Sequence, residues 1–137
     1  MAYGISPSLP LVVTATDGPY GLTKSVPEAL SQDFKNLVLT NPGERVMDPE
    51  FGVGIRKFLF EAQDNFVYEE IQARLESQTR RYLPAIRIEQ IVFNQSENEL
   101  IAANVIDSGI LYVKIVFSIV PTGVTATLIL PLVSEAA

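Results

Sequence analysis

Asn41-Pro42-Gly43-Glu44-Arg45-Val46-Met47-Asp48-Pro49-Glu50-Phe51-Gly52-Val53-Gly54 is the stretch on which the fold turns. Its prolines and glycines predict loop and turn, and it separates two helical patterns. Upstream, Ser25 and Glu28 have capping-box spacing, and Pro27 falls in the first turn, where a missing N–H costs little. Ala29, Leu30, Phe34, Leu37 and Val38 then recur on one helical face. Asn41-Pro42-Gly43 stops this helix, with Asn41 suited to a left-handed C′ position. Downstream, Ile55 to Phe60 predicts one helical turn burying Ile55, Phe58 and Leu59. A longer helix follows over Asn65 to Tyr82, with Val67, Ile71, Leu75, Gln78 and Tyr82 on one stripe and Tyr68 beside it. Pro84 ends it.

The chain beyond the second helix reads as β. In Ile86 to Asn94 the apolar parity slips: Ile86 and Ile88 share one phase, Ile91 and Phe93 the other. Side chains alternate faces with period two, so the slip predicts a bulge near Glu89–Gln90. Asn94 to Asn98 reads as a turn, Leu100 to Ile106 as a strand, and Asp107-Ser108-Gly109 as another turn. Ile110 to Val120 is the clearest strand. Leu111, Val113, Ile115, Phe117 and Ile119 form a wholly apolar face, opposite a mixed face that includes Tyr112 and Lys114. Pro121-Thr122-Gly123 reverses the chain. Val124, Ala126, Leu128 and Leu130 then alternate with Thr125, Thr127 and Ile129. This charge-poor hairpin is either plain core or a sheet that another chain completes. At the other end, Leu9 to Thr16 reads as a short strand before an Asp17-Gly18-Pro19 turn; Tyr20 to Lys24 reads as a return strand or an irregular arm. The expectation is an α+β domain spanning 1–137: an N-terminal arm (1–24), a helical part (25–85) with two main helices flanking the loop, and a mainly antiparallel β part (86–137).

The composition narrows the function. With 47% hydrophobic and 19% charged residues, the 137-residue chain is globular. Its mean hydropathy of +0.23 is high for so small a domain, which predicts apolar surface turned to a partner. A net charge of −6 argues against nucleic acid as a ligand, since phosphate binding needs a basic footprint. Arg74, Arg80 and Arg81 are a local basic group, read as a solvated helix face. Gly109 to Leu132 is the one stretch that could mimic a membrane span, but Lys114, Pro121 and Gly123 interrupt it, so no membrane partner is expected. The chain contains no Cys, His or Trp. That rules out Ser-His-Asp or Cys-His catalysis and zinc sites with His or Cys ligands. No metal or cofactor is expected.

Glycoside hydrolysis needs only two carboxylates, so Glu44, Asp48, Glu50 and Glu61 merit scrutiny. A run of acids in a turn-rich segment more commonly supplies caps and ion pairs, and no catalytic residue is assigned. Gly52-Val53-Gly54 lacks the third glycine of a phosphate loop. Within the loop, Pro42-Gly43 suits a tight reversal. Glu44 and Arg45 suit helix capping or ion pairs across the turn, and Phe51, Phe58 and Phe60 suit anchoring in the core. The motif either supports the fold alone or also touches a partner.

In order, Thr40, Pro42-Gly43-Glu44-Arg45, Pro49, Phe51-Gly52 and Leu59-Phe60-Glu61 resemble the signature of the small baseplate wedge subunit, or sheath initiator, of contractile tails. That family pattern is a helix ending in L-x-T, then P-G-E-R, P-x-F-G and L-F-E. It is known from contractile phages, R-type pyocins and type VI secretion baseplates. One motif departs: where the family has Glu-Pro-Arg, this chain has Leu83, Pro84 and Ala85, which puts contacts made by those charges in doubt; Arg87 is the candidate substitute. The resemblance implies a fold like the sheath interlocking domain and a non-enzymatic role in the virion tail baseplate, assembled in the host cytoplasm. It implies as partners the wedge core bundle, the tail sheath protein, and tube-initiator or hub proteins. The first sheath ring would be templated by strand exchange. Tyr112, Lys114, Val124, Thr125, Ala126, Thr127, Leu128, Ile129 and Leu130 are the candidate sheath-facing positions. Because the family has also been called lysozyme-like, a peptidoglycan hydrolase of the tail is the alternative.

Overall fold

The structure is a computed structural model that describes residues 3–61, 64–93 and 110–133. The readings for Leu100–Ile106 and for the turns on either side of it lie outside these residues.

Helix α1 spans Val26–Leu39. The capping box forms: the Glu28 amide donates to Ser25 Oγ at 3.4 Å. The Glu28 carboxylate reaches one residue further back than the motif requires, to the Lys24 amide at 3.3 Å. Ala29, Phe34, Leu37 and Val38 are buried, as the periodicity predicts. The helix stops just before Asn41-Pro42-Gly43, as the sequence reading expects. Thr40 is the C-cap in an extended conformation (φ −72°, ψ 129°), and its hydroxyl donates to the Asn36 carbonyl at 2.6 Å. A threonine side chain thus adds a donor to a carbonyl at the helix end.

A short 3-10 helix covers Ile55–Phe60, and helix α2 covers Asn65–Tyr82. Asp64 caps α2, accepting from the Val67 amide at 3.0 Å. The buried stripe of α2 is Val67, Ile71, Leu75 and Thr79. Gln78 and Tyr82, expected on that stripe, are only half-buried, because both turn toward the loop.

Strands β3 (Ile86–Phe93), β4 (Ile110–Ile119) and β5 (Val124–Val133) form an antiparallel sheet in the order β3-β4-β5. The bulge is where the parity slip placed it: the β3–β4 register shifts between Ile88 and Gln90. One face of the sheet is the core. Val113, Ile115, Phe117 and Ile119 of β4 are buried together with Leu130 and Leu132 of β5. Both helices lie on this face, with the Phe34 ring 4.7 Å from Phe117 and the Tyr68 ring stacked 4.6 Å from Phe93. The fold is therefore α+β, with the helices on one side of the sheet.

The N-terminal arm departs most from the sequence reading. A two-residue strand β1 (Ser6–Pro7) pairs with β2 (Leu22–Thr23), while Leu9 to Thr16 forms no strand. Among the described residues, that β-branched run has no neighbouring strand face to pack on, and β propensity is realised only against such a surface. Leu11, Val12 and Val13 are exposed in consequence. Gln32 of α1 holds the arm instead: its side chain accepts from the Leu9 amide and donates to the Pro7 carbonyl, both at 2.9 Å.

Candidate functional site

The loop between α1 and the 3-10 helix is tied to its surroundings at both ends. Its return leg satisfies carbonyls that the end of α1 leaves open: the Val53 amide donates to Leu37 O at 3.1 Å and the Gly54 amide to Thr40 O at 2.9 Å. Its tip is closed by the Gly43 amide donating to Pro49 O at 2.8 Å. Glu44 folds back on the turn, accepting from the Asn41 amide and side-chain amide, each at 3.0 Å.

Helix α2 grips the other side. Gln78 accepts from the Gly52 amide at 3.0 Å and donates to the Glu50 carbonyl at 3.1 Å, much as a neighbouring strand would. Arg74 donates to Val53 O at 3.3 Å. Arg81 pairs with Glu50 at 2.6 Å, and the Tyr82 hydroxyl donates to Asp48 at 3.1 Å. Partial burial and the Asp48 bond push the Tyr82 phenol above its ordinary pKa; the Glu50 carboxylate raises that of Arg81. Among the described residues, Arg45 makes no carboxylate pair. Its guanidinium lies 3.6 Å over the Phe51 ring, and Phe51 meets Tyr82 edge-on at 4.9 Å. A cation over an aromatic face is a favourable contact that needs no acid partner.

Of the motif residues, Phe51 and Gly52 are buried, Thr40 and Leu59 are half-buried, and Pro42, Gly43, Glu44, Arg45, Pro49, Glu61 and Pro84 are exposed. Phe60 does not anchor the core. It is 83% exposed, because the 3-10 helix turns Ile55 and Phe58 inward and Phe60 out. Leu83 is partly buried against the core, and Ala85 uses its carbonyl to accept from the Val120 amide at 2.8 Å. Arg87 is exposed on β3 and lines a surface cavity with Glu76 and Arg80. The sequence reading missed the roles of Gln78, Tyr82 and Asn41. The available signal was an amide inside an apolar helical stripe, since a half-buried polar group must find partners.

At the hairpin, Thr125, Thr127 and Ile129 are exposed on the sheet face away from the helices, and register pairs them with Ser118, Val116 and Lys114. Tyr112 and Lys114 are half-buried on the same face. Ala126, Leu128 and Leu130 point into the core, and Val124 is exposed at the turn. The four loop acids do not assemble into one centre: Glu44 is held by Asn41, Asp48 by Tyr82 and Glu50 by Arg81, while Glu61 is exposed. Among the described residues, no group of acids could hold a metal ion, and no helix is long and apolar enough to cross a membrane.

Among solved structures, the chain is similar to a protein of Geobacter sulfurreducens provisionally described as a tail lysozyme. The TM-score is 0.65 at 24% identity, covering 85% of this chain and 99% of that one. It is also similar to a chain of the anti-feeding prophage baseplate, with a TM-score of 0.57 at 22% identity, covering 94% of this chain and 85% of that one. At these identities the likeness establishes the fold. No curated protein sequence matches. The family described as baseplate wedge protein gp25 matches residues 24–123, and the chain belongs to that family.

Proposed function

We propose that this chain is a non-enzymatic subunit of a contractile-tail baseplate wedge. In this reading it binds the wedge core bundle and templates the first sheath ring by accepting a sheath strand on β5. Family membership and the likeness to the anti-feeding prophage baseplate chain support the baseplate role. The observation that carries the sheath role is the sheet edge that β5 forms among the described residues. Among the described residues, β5 pairs with β4 over ten residues without a bulge, and no strand lies on its other side. A long, regular, charge-poor edge is a template for another strand. Strand β3, the opposite edge, is broken by its bulge, a device that discourages such pairing. Pro131 fits the assignment, since proline in a sheet is confined to edge strands and bulges. The engagement of Glu44, Asp48 and Glu50 within the loop supports a structural role over peptidoglycan hydrolysis.

Truncation before Pro121 is a poor test, because it would strip Leu130 and Leu132 from the core. The double substitution Thr127→Lys/Ile129→Lys places charge on the exposed face and edge and leaves the core alone. Expected is a folded protein that enters baseplates but no longer supports sheath polymerisation. Sheath of normal length on baseplates carrying the variant would refute the strand-exchange role. Cell-wall degradation by the purified protein, lost in Asp48→Asn, would refute the non-enzymatic one.

A further inference from the structure

A third surface lies on neither the hairpin nor the inner side of the loop. Asn41, Pro42, Arg56, Lys57, Phe60 and Arg74 line an open cleft of about 500 Å³ where the loop, the 3-10 helix and α2 meet. Its charge is opposite in sign to that of the chain as a whole. The chain has 16 acids against 10 bases, yet the cleft lining contains cations and no carboxylate. Among the described residues, neither Arg56 nor Lys57 makes an ion pair. Arg74 donates to Val53 O at 3.3 Å, and its one carboxylate contact among the described residues is a loose one with Glu70 at 3.8 Å. Beside these charges stands Phe60, with 83% of its surface open to water. A large aromatic left in water next to unneutralised cations is suited to a ligand that supplies both an apolar side chain and negative charge.

We propose that this cleft binds an acidic peptide segment of another baseplate component. An apolar side chain of that segment packs on Phe60 and Pro42, and its carboxylates reach Arg56, Lys57 and Arg74. Guanidinium groups favour this use, since their planar fork matches a carboxylate. Nucleic acid fits less well: the net charge of −6 repels a long polyanion, whereas a short segment samples only the local field. The proposal takes from the baseplate reading the identity of the assembly and nothing of its chemistry.

The test uses the full chain and a short fluorescent peptide of alternating Glu and Leu, with a matched peptide in which Gln replaces Glu. The Glu peptide is expected to bind with an affinity that falls as salt rises, and the Gln peptide to bind roughly tenfold more weakly or worse. Arg56→Glu/Lys57→Glu should abolish binding. Phe60→Ala should weaken it without changing its salt dependence. All three residues are exposed, so these variants are expected to fold. The proposal is overturned if the Glu peptide does not bind, if the two peptides bind equally, or if the double reversal has no effect. Failure of the titration sinks this proposal alone. Absence of the wild-type protein from purified baseplates would sink the functional reading and leave the titration standing.

Discussion

Gly52→Ala is the substitution that asks most directly what the loop does. Gly52 has φ +115°, a conformation that L side chains rarely adopt. A Cβ there would also lie 2.2 Å from the Thr40 carbonyl oxygen and 2.9 Å from its carbon. The obstacle is backbone and it is fixed: the Thr40 amide is bonded to Asn36 O at 3.0 Å, and the Thr40 oxygen already accepts from Gly54 at 2.9 Å. Strained φ alone costs about 1–3 kcal/mol. Relieving the clash means moving the loop off α1, which breaks the Gly54–Thr40 and Gly52–Gln78 bonds at about 1 kcal/mol each. The expected loss is therefore ~3–5 kcal/mol. Typical domains have only about 5–15 kcal/mol in total.

Gly43→Ala is the control. Gly43 also has positive φ, +93°, but a Cβ there meets nothing within 4 Å, so only the strain remains. Urea unfolding of both variants, followed by far-ultraviolet circular dichroism, measures the difference from the midpoints at a shared slope. Gly52→Ala should unfold at clearly lower urea than Gly43→Ala. If the two lose the same stability, the close approach of loop to helix is not holding the fold and the reasoning fails.

Two further predictions concern the grip of α2. Gln78→Leu should cost about 1–3 kcal/mol, because it strands the buried Gly52 amide as well as losing two hydrogen bonds; an unchanged urea midpoint would contradict the strand-like role of Gln78. Tyr82 carries a pH dependence. Its folded pKa is raised, so as pH climbs the unfolded chain loses the phenol proton first, and the stabilisation is complete below the ordinary phenol value of about 10 and lost as pH rises through the folded one. Tyr82→Phe should remove this alkaline loss, read as urea midpoints across an alkaline pH series; an identical alkaline decline in the variant would show that the phenol is not responsible.

Local signals made much of this fold legible. Helix α2 runs over the predicted Asn65–Tyr82 because its period and the proline after it all lie within one segment. The bulge at Ile88/Gln90 could be read because a parity slip in a half-buried strand has one simple physical cause. What could not be read depended on neighbours distant in sequence. Arg45 looked like one half of an ion pair, but its partner is the face of Phe51, six residues on, held in place by Tyr82. Phe60 looked like core because it is aromatic, but the 3-10 helix turns Ile55 and Phe58 into the core, packs Leu59 beside them and leaves Phe60 outward. Leu9 to Thr16 had strand composition without a sheet to join.

Fold support and partner contact had stood as alternatives for the loop. In the structure the bonds that support the fold and the side chains open to a partner belong largely to different atoms of the loop. The contacts that hold the loop down use mainly its backbone: the amides of Gly43, Gly52, Val53 and Gly54 and the carbonyls of Thr40, Pro49, Glu50 and Val53. Several side chains of the same segment remain turned outward, with Val46 93% and Met47 97% exposed and Pro42 at the lip of the basic cleft. The backbone bonds depend on the chain keeping its course, which the glycines permit, while the outward side chains make none of them. Deleting the loop would therefore remove the backbone bonds and the outward side chains together and could not tell fold support from partner contact. Substitutions restricted to the outward side chains leave the backbone bonds in place, so a change in assembly at constant stability would assign those side chains to contact with another chain.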